Sequence, residues 1–223
     1  MKSRFYRFKH HFSYIEKWVI FNVVFLTISA SSFAQTHTIT GTSDPDSQHT
    51  QVHQKLLSLA ENGDQDAQYN LGRIYLQGKG TRQDYQAARK WFMRAAEKED
   101  AGAQYNLGNI YQKGQGIQQD CKKAFFWYKK AAAKFYAPAQ YALGKLYSSG
   151  CGVNQNSYKS TEWILKAAYN GMPEAQFQIG YRYLTGYGIQ VDKNKAYEWL
   201  LKAAKQDNPA AIKVLKTNFS TEI

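Results

Sequence analysis

Hydrophobic residues recur at helical spacing through the central part of the chain. One stripe occupies positions i, i+4, i+7 and i+8 of a helix: Ala67, Leu71, Ile74 and Tyr75. A second stripe follows at i, i+3 and i+7: Ala88, Trp91 and Ala95. Gly78 lies between the stripes, where a left-handed residue would end the first helix. The pattern therefore predicts two helices joined by a tight turn.

This two-helix unit occurs four times at a period of 36 residues, without insertion or deletion. The first motif, Ala67-Gln68-Tyr69-Asn70-Leu71-Gly72, aligns with residues 103–108, 139–144 and 175–180. A Gly-x-Gly pair, a tryptophan and an Ala-Ala pair also repeat in every copy. Fixed-period similarity of this length predicts an α-helical solenoid. The predicted copies are 65–100, 101–136, 137–172 and 173–208.

The chain resembles the Sel1-like repeat proteins, which are related to tetratricopeptide repeats. The resemblance lies in the Ala-Gln-Tyr-x-Leu-Gly motif, the Gly-x-Gly turn and the ending Lys195-Ala196-Tyr197-Glu198-Trp199-Leu200-Leu201-Lys202-Ala203-Ala204. Copy three departs from the pattern at Ser160-Thr161, and copy four has Phe177 in place of Tyr. The resemblance implies an all-α, right-handed α-solenoid of four full repeats with capping helices. It also implies a scaffold that mediates protein–protein interaction.

Several positions have predicted structural roles inside this frame. Helix N-caps are expected at Asp84, Asp120, Asn156 and Asp192. Gly72 and its counterparts fall within helices, where glycine costs about 1 kcal/mol relative to alanine, so we expect them to allow close helix approach. Residues 51–64 are expected to form an N-terminal capping helix. Residues 209–223 are expected to form a C-terminal capping helix and tail, with Pro209 in the first turn.

The N-terminal region has the pattern of a secretory signal. A basic start precedes the apolar stretch 18–28 and the small residues 29–34, which predicts a signal peptide over residues 1–34 with cleavage before Gln35. An uncleaved anchor is the alternative, although the apolar stretch is shorter than the roughly 20 residues of a membrane span. Residues 35–50 are polar and are expected to form a flexible leader. The expected location is the periplasm or the outside of the cell.

The basic charge changes this picture little. The formal net charge is +12, and without residues 1–34 it falls to +8, from 24 basic minus 16 acidic residues. No dense basic block or nucleic-acid motif accompanies the charge, so we expect no nucleic-acid partner. The second helices carry a basic exposed side, which we interpret as an aid to solubility: Lys90, Arg94, Lys129, Lys130, Lys166 and Lys202.

The chain has two cysteines, Cys121 at the start of a second helix and Cys151 inside a Gly-x-Gly turn. In a stacked array the two positions belong to adjacent repeats on the same edge. With export, this register predicts a Cys121–Cys151 disulfide. Two free thiols remain the alternative, because register alone does not give the Cα separation.

No catalytic constellation is visible in the sequence. The histidines after residue 34 are His37, His49 and His53, all before the repeats, so neither zinc chemistry nor histidine-assisted nucleophilic catalysis is supported. Some cysteine-rich Sel1-like relatives are associated with β-lactamase activity, but the Ser-x-x-Lys motif of such enzymes is absent after residue 34. We therefore expect no enzyme, no cofactor and no metal. Turnover of a chromogenic β-lactam by pure protein would favour the enzyme alternative.

The residues that differ between copies are the candidates for binding. On the first helices, the positions off the apolar stripe are Asp66, Asn70 and Arg73, then Gly102, Asn106 and Asn109, then Pro138, Ala142 and Lys145, and finally Glu174, Gln178 and Tyr181. Amides, cations and a tyrosine suit recognition of an extended peptide or a protein surface. The predicted function is an envelope scaffold with a protein or peptide partner. A periplasmic immunity protein that neutralises an effector is the alternative.

Overall fold

The computed structural model describes residues 45–219, with side chains from residue 51 onward. These residues form ten helices and no strand: α1 (Pro45–Glu61), α2 (Gln65–Gln77), α3 (Tyr85–Glu97), α4 (Ala101–Lys113), α5 (Cys121–Ala133), α6 (Ala137–Ser149), α7 (Ser157–Tyr169), α8 (Pro173–Thr185), α9 (Lys193–Ala204) and α10 (Pro209–Asn218). None of the helices in this range has the length and apolar character needed to span a membrane. The predicted signal peptide, residues 35–44 of the leader and residues 220–223 lie outside the described residues.

The first helix begins earlier than the sequence analysis places it. It starts at Pro45, so residues 45–50 belong to α1 and not to a flexible leader. Each of the four copies then consists of a first helix (α2, α4, α6 or α8) and a second helix (α3, α5, α7 or α9). The all-α solenoid is confirmed.

Capping explains where these helices begin and end. The predicted N-caps of the second helices are present: Asp84, Asp120, Asn156 and Asp192 each accept a hydrogen bond from a backbone N–H of the first turn. The first helices end at glycines with φ between 67° and 77°, a region that glycine enters without steric cost: Gly78, Gly114, Gly150 and Gly186. The turn chemistry therefore fixes the length of each helix.

The glycines within the first helices allow their second helices to approach closely. A Cβ atom on Gly72 would lie 2.6 Å from the Phe92 ring, and one on Gly180 would lie 2.7 Å from Leu200. A Cβ on Gly108 would overlap the ring of Tyr128, which is fully buried. The expected reason for these glycines is confirmed.

A buried glutamine joins each copy to the one before it. The side-chain Nε2 donates to the carbonyl oxygen of the alanine eight residues earlier, at 2.9–3.4 Å, in all four copies: Gln68, Gln104, Gln140 and Gln176. Asn170 Nδ2 donates to Gln140 Oε1, and Gln206 Nε2 donates to Gln176 Oε1, both at 2.8 Å. In the first two copies the Oε1 atom is buried and accepts no hydrogen bond. There the positions of Asn170 and Gln206 are occupied by lysines, Lys98 and Lys134.

The array ends in a half repeat on each side of the four copies. Three residues of the last helix occupy first-helix core positions and are buried: Ala211, Leu215 and Phe219. Lys216 stands where the full copies have the mid-helix glycine, and no second helix follows α10 in the described range. The first helix, α1, has second-helix register instead, so Val52 and Leu59 are 63% and 44% exposed at positions where Ala88 and Ala95 are fully buried.

Candidate protein-binding face

The predicted binding residues reach solvent on the four first helices. We call this surface the first-helix face. Asn70, Arg73, Asn106, Asn109 and Gln178 are partly exposed, and Lys145 and Tyr181 are exposed. The neighbouring residues that repeat in every copy, such as Ala67, Gln68 and Gly72, are buried. Each first helix therefore has one side fixed by packing and one side free to vary.

An aromatic row runs along the same face. Its members are partly exposed: Tyr69, Tyr105, Tyr141 and Phe177. Each lies one helical turn before a predicted binding residue, namely Arg73, Asn109, Lys145 or Tyr181. The Arg73 guanidinium carbon lies 5.8 Å from the centre of the Tyr69 ring, and Lys145 Nζ lies 5.9 Å from the centre of the Tyr141 ring. The Phe177 and Tyr181 rings have centroids 6.1 Å apart. Arg73, Lys145 and Tyr181 therefore each pack beside the aromatic ring four residues earlier.

Asn109 differs from the other predicted residues because its amide contacts the core. Its Oδ1 lies 2.8 Å from the Tyr128 hydroxyl, and Gln112 Oε1 lies 2.7 Å from the same hydroxyl. A phenol has one proton and can donate to only one of them, so the other amide must turn its NH₂ group toward the phenol oxygen. Burial raises the pKa of Tyr128, which stays a neutral phenol. Asn109 thus holds a core side chain in place. Variants designed to test the first-helix face should therefore not replace Asn109.

Four of the six basic residues predicted to aid solubility also cover the tryptophans of the second helices. The cationic groups lie 4.2–5.2 Å from the indole centroids in the pairs Arg94–Trp91, Lys130–Trp127, Lys166–Trp163 and Lys202–Trp199. A cation over an indole ring gains electrostatic stabilisation while its stem shields apolar surface. Lys90 and Lys129 are exposed on the same helices. Lys90 offers a surface control for variants of the first-helix face.

Cys121 and Cys151 form the predicted disulfide, with a Cα–Cα separation of 5.4 Å. Cys121 is the first residue of α5, and Cys151 lies between Gly150 and Gly152 in the next copy. A Cβ on Gly152 would overlap the Cys121 carbonyl oxygen. The tight turn therefore rests directly on the start of the preceding second helix, which brings the two sulfur atoms together.

Arg182 is a buried cation that the sequence analysis did not identify. It is 6% exposed and stands where the other copies have Ile74, Ile110 and Leu146. No ion pair within the described residues includes its guanidinium group. Burial lowers the pKa of Arg182.

Hydroxyl groups on the preceding copy bind this guanidinium. Arg182 Nη1 donates to Thr161 Oγ1 at 2.5 Å, and Nη2 donates to Ser160 Oγ at 2.9 Å. Ser160 in turn donates to the Gly144 carbonyl oxygen at 2.6 Å. The hydroxyl residues Ser160 and Thr161, which depart from the repeat pattern, therefore supply the hydrogen-bond partners of Arg182 on the next helix. In the sequence, the only hint of this contact is that adjacent copies each have a polar residue at a position that is apolar in the other copies.

The described residues contain no group of three or more His, Cys, Asp or Glu side chains placed to hold a metal ion. His53 is on α1, where its Nε2 lies 3.4 Å from the Tyr75 hydroxyl. The exposed residues of the four first helices form a variable surface along the array.

The sequence matches the family model of the Sel1 repeat at residues 65–100, 101–134, 137–172 and 173–208. The chain belongs to the Sel1 repeat family. Sel1 repeats form non-catalytic scaffolds that typically mediate protein interactions. The four matched segments agree with the copies seen as helix pairs.

Solved structures of other Sel1 repeat proteins are similar to this chain. The protective antigen c5321 of uropathogenic Escherichia coli is 38% identical with a TM-score of 0.73, over 77% of this chain and 37% of that chain. A Sel1 repeat protein from Oxalobacter formigenes is 31% identical with a TM-score of 0.72, over 77% of this chain and 70% of that chain. The chain thus covers little more than a third of the Escherichia coli antigen. Among curated proteins, none matches this chain.

The immunity protein Pa5087 of Pseudomonas aeruginosa is also similar, at 20% identity and a TM-score of 0.49, over 73% of this chain and 60% of that chain. Similarity at this level carries no argument about function. The immunity alternative therefore gains nothing from it.

Proposed function

We propose that this protein is an exported scaffold that holds a protein or extended peptide on its first-helix face. One observation carries the proposal: consecutive first helices expose side chains that differ between copies, next to buried residues that do not differ. Packing requires the buried repeated residues, so residues that distinguish one partner from another are expected among the exposed variable ones. Asn70, Asn106 and Gln178 supply amides that can bond a peptide backbone.

The aromatic row supports an extended partner. Tyr69, Tyr105, Tyr141 and Phe177 offer rigid, partly exposed rings at one place in each repeat, and aromatic side chains are enriched in the centres of protein interfaces. Arg73 and Lys145 lie over two of these rings and can bind carboxylates of a partner.

Export is supported by two independent features. Residues 1–34 have the composition of a secretory signal, and the Cys121–Cys151 disulfide suits an oxidising compartment. Cell fractionation with N-terminal sequencing tests the proposal. We expect envelope or secreted protein that begins at Gln35, and cytosolic protein that retains Met1 would refute export.

Charge reversal tests the binding face once a partner has been identified by crosslinking and mass spectrometry in the native envelope. The variant Arg73→Glu with Lys145→Glu should weaken partner binding about tenfold or more. The control, Lys90→Glu with Lys193→Glu, makes the same charge change on exposed second-helix positions and should bind normally. Equal binding by both variants, with unchanged helicity, would refute the proposed face. A captured toxic effector would assign the scaffold an immunity role.

A further inference from the structure

Three aromatic side chains are exposed away from the first-helix face. Phe126 is 51% exposed, Phe135 is 77% exposed and Tyr169 is 71% exposed. The corresponding positions of the other copies carry no aromatic residue: Lys90, Glu162 and Glu198 align with Phe126, Gly63, Glu99, Gly171 and Asp207 with Phe135, and Glu97, Ala133 and Lys205 with Tyr169. The repeat fold therefore does not require any of the three rings.

Phe135 is also held in an unfavourable backbone conformation. Its φ is +59°, in the left-handed region, at the turn between α5 and α6. Gly63 and Gly171 occupy this position in other turns with φ of 92° and 85°, and glycine enters this region without a clash of Cβ. Glu99 and Asp207 occupy the same position in two other turns with φ of 68° and 59°, so backbone strain alone does not set Phe135 apart. Its apolar ring does, because it is 77% exposed. Exposed apolar side chains that the fold does not require are typical of interaction surfaces.

We call these three exposed rings together the outer aromatic strip (Phe126, Phe135 and Tyr169). The centroid of the Tyr169 ring lies 5.0 Å from that of Trp199 in the next copy. Asn170 Nδ2 donates to the Phe135 carbonyl oxygen at 3.3 Å, so the end of α7 that carries Tyr169 abuts the Phe135 turn. Phe126 lies on α5. Lys130 and Lys134 follow it at four and eight positions, so these exposed residues share one side of the helix, and Phe135 comes directly after Lys134.

Basic side chains surround this strip. Residues 121–135 contain five lysines and no acidic residue. Lys130 Nζ lies 5.0 Å from the centre of the Phe126 ring, and Lys134 forms an ion pair with Glu99 at 2.7 Å. Rings flanked by cations complement a segment that has an apolar anchor beside carboxylates.

We propose that the outer aromatic strip is a second docking surface, for a protein segment that combines acidic residues with an aromatic or aliphatic anchor. A protein segment is favoured over an anionic membrane because the strip is short. In the next two copies Glu162 and Glu198 replace Phe126. A flat anionic membrane would contact these carboxylates and be repelled, whereas a short acidic segment bound beside Phe126 and Phe135 does not need to reach them. The strip lies mainly on a second helix, so it can be occupied together with the first-helix face.

The test selects short random peptides displayed on phage against the full-length, oxidised protein. We expect acidic sequences with an apolar anchor, and we expect Phe135→Gly to weaken their binding about tenfold. The same variant should unfold at a higher urea concentration, because glycine relieves the left-handed strain. Asp207→Gly is the matched control, since Asp207 has the same φ of 59° and lies in the turn before α10. It should also gain stability but bind the peptides normally.

Each other outcome overturns the proposal. Equal peptide binding by Phe135→Gly and Asp207→Gly would show that the ring is not used. Loss of binding only in Arg73→Glu with Lys145→Glu would place the peptides on the first-helix face. Binding to phosphatidylserine vesicles that is lost in Phe135→Gly, without any peptide selected, would assign the strip to a membrane surface. Because stability and binding are expected to change in opposite directions, misfolding cannot imitate the expected result.

Discussion

Replacing Lys98 with glutamine should stabilise the array by supplying a missing hydrogen bond. Gln68 is buried and its Oε1 accepts no hydrogen bond, whereas Gln176 Oε1 accepts one from Gln206 at 2.8 Å. Lys98 occupies the position of Gln206 and donates to the Gly63 carbonyl oxygen. Gln206 makes the equivalent bond to Gly171 at 3.1 Å with the same Nε2. A glutamine at position 98 can therefore keep the existing contact and add the missing one.

The expected gain follows from these contacts. A buried acceptor without a partner costs about 1–3 kcal/mol, and a hydrogen bond recovers about 1 kcal/mol net. The Lys98 side chain is exposed and has no ion pair among the described residues, so its loss adds little cost. We expect Lys98→Gln to raise the free energy of unfolding by about 1 kcal/mol and the Tm by about 2–4 °C.

Urea unfolding followed by circular dichroism measures this change. Lys98→Ala is the control, since it removes the lysine without supplying an amide, and it should give no gain. The reverse substitution, Gln206→Lys, should destabilise the protein because it leaves Gln176 Oε1 without its donor. If Lys98→Gln and Lys98→Ala unfold at the same urea concentration, the reasoning about the unpaired oxygen is wrong.

Three further substitutions test the packing. Gly108→Ala should cost about 1–3 kcal/mol, since the new methyl group would overlap a buried ring, although alanine is the better helix former. Replacing both Cys121 and Cys151 with serine should cost about 3–4 kcal/mol, because the disulfide closes a loop with a sequence separation of 30. Ser160→Ala should cost about 1–3 kcal/mol by removing a partner of Arg182, and much less in an Arg182→Leu background. All three are read from urea unfolding curves.

Each of these substitutions has its own control. Lys216→Gly places glycine at the register of Gly108 on α10, where no second helix packs in the described range, and should cost only about 1 kcal/mol through helix propensity. A stability gain in Gly108→Ala would contradict the close helix approach. For the disulfide, dithiothreitol should destabilise the natural protein but not the serine variant. An equal cost of Ser160→Ala in both backgrounds would show that Ser160 and Arg182 are not coupled.

The parts of the fold that repeat could be predicted from the sequence because packing imposes the same residues on every copy. Gly72 and Gly108 recur since both face a buried ring, and Asp84 and Asp120 recur since both cap a helix. The Cys121–Cys151 pairing was predicted from the register of the repeats together with the expected export. Periodicity thus predicted the architecture and the helix ends, and it placed the two cysteines on the same edge of adjacent copies.

The features that occur once could not be obtained in this way. The contact of Arg182 with Ser160 joins two helices across a copy boundary, and a single helical stripe does not show which residue faces another helix. Asn109 looks like a surface amide from its position, yet it bonds the hydroxyl of a buried tyrosine. Phe135 occupies a left-handed turn position that glycine marks in only two of the five turns, so its strain became visible only in the backbone.

The central claim is that a partner binds where the first helices expose residues that differ between copies. Hydrogen exchange measured by mass spectrometry, with and without the partner found by crosslinking, shows which helices the partner covers. We expect slower exchange on partner binding in residues 65–77, 101–113, 137–149 and 173–185. Unchanged exchange in all four first helices, with the partner demonstrably bound, would contradict it.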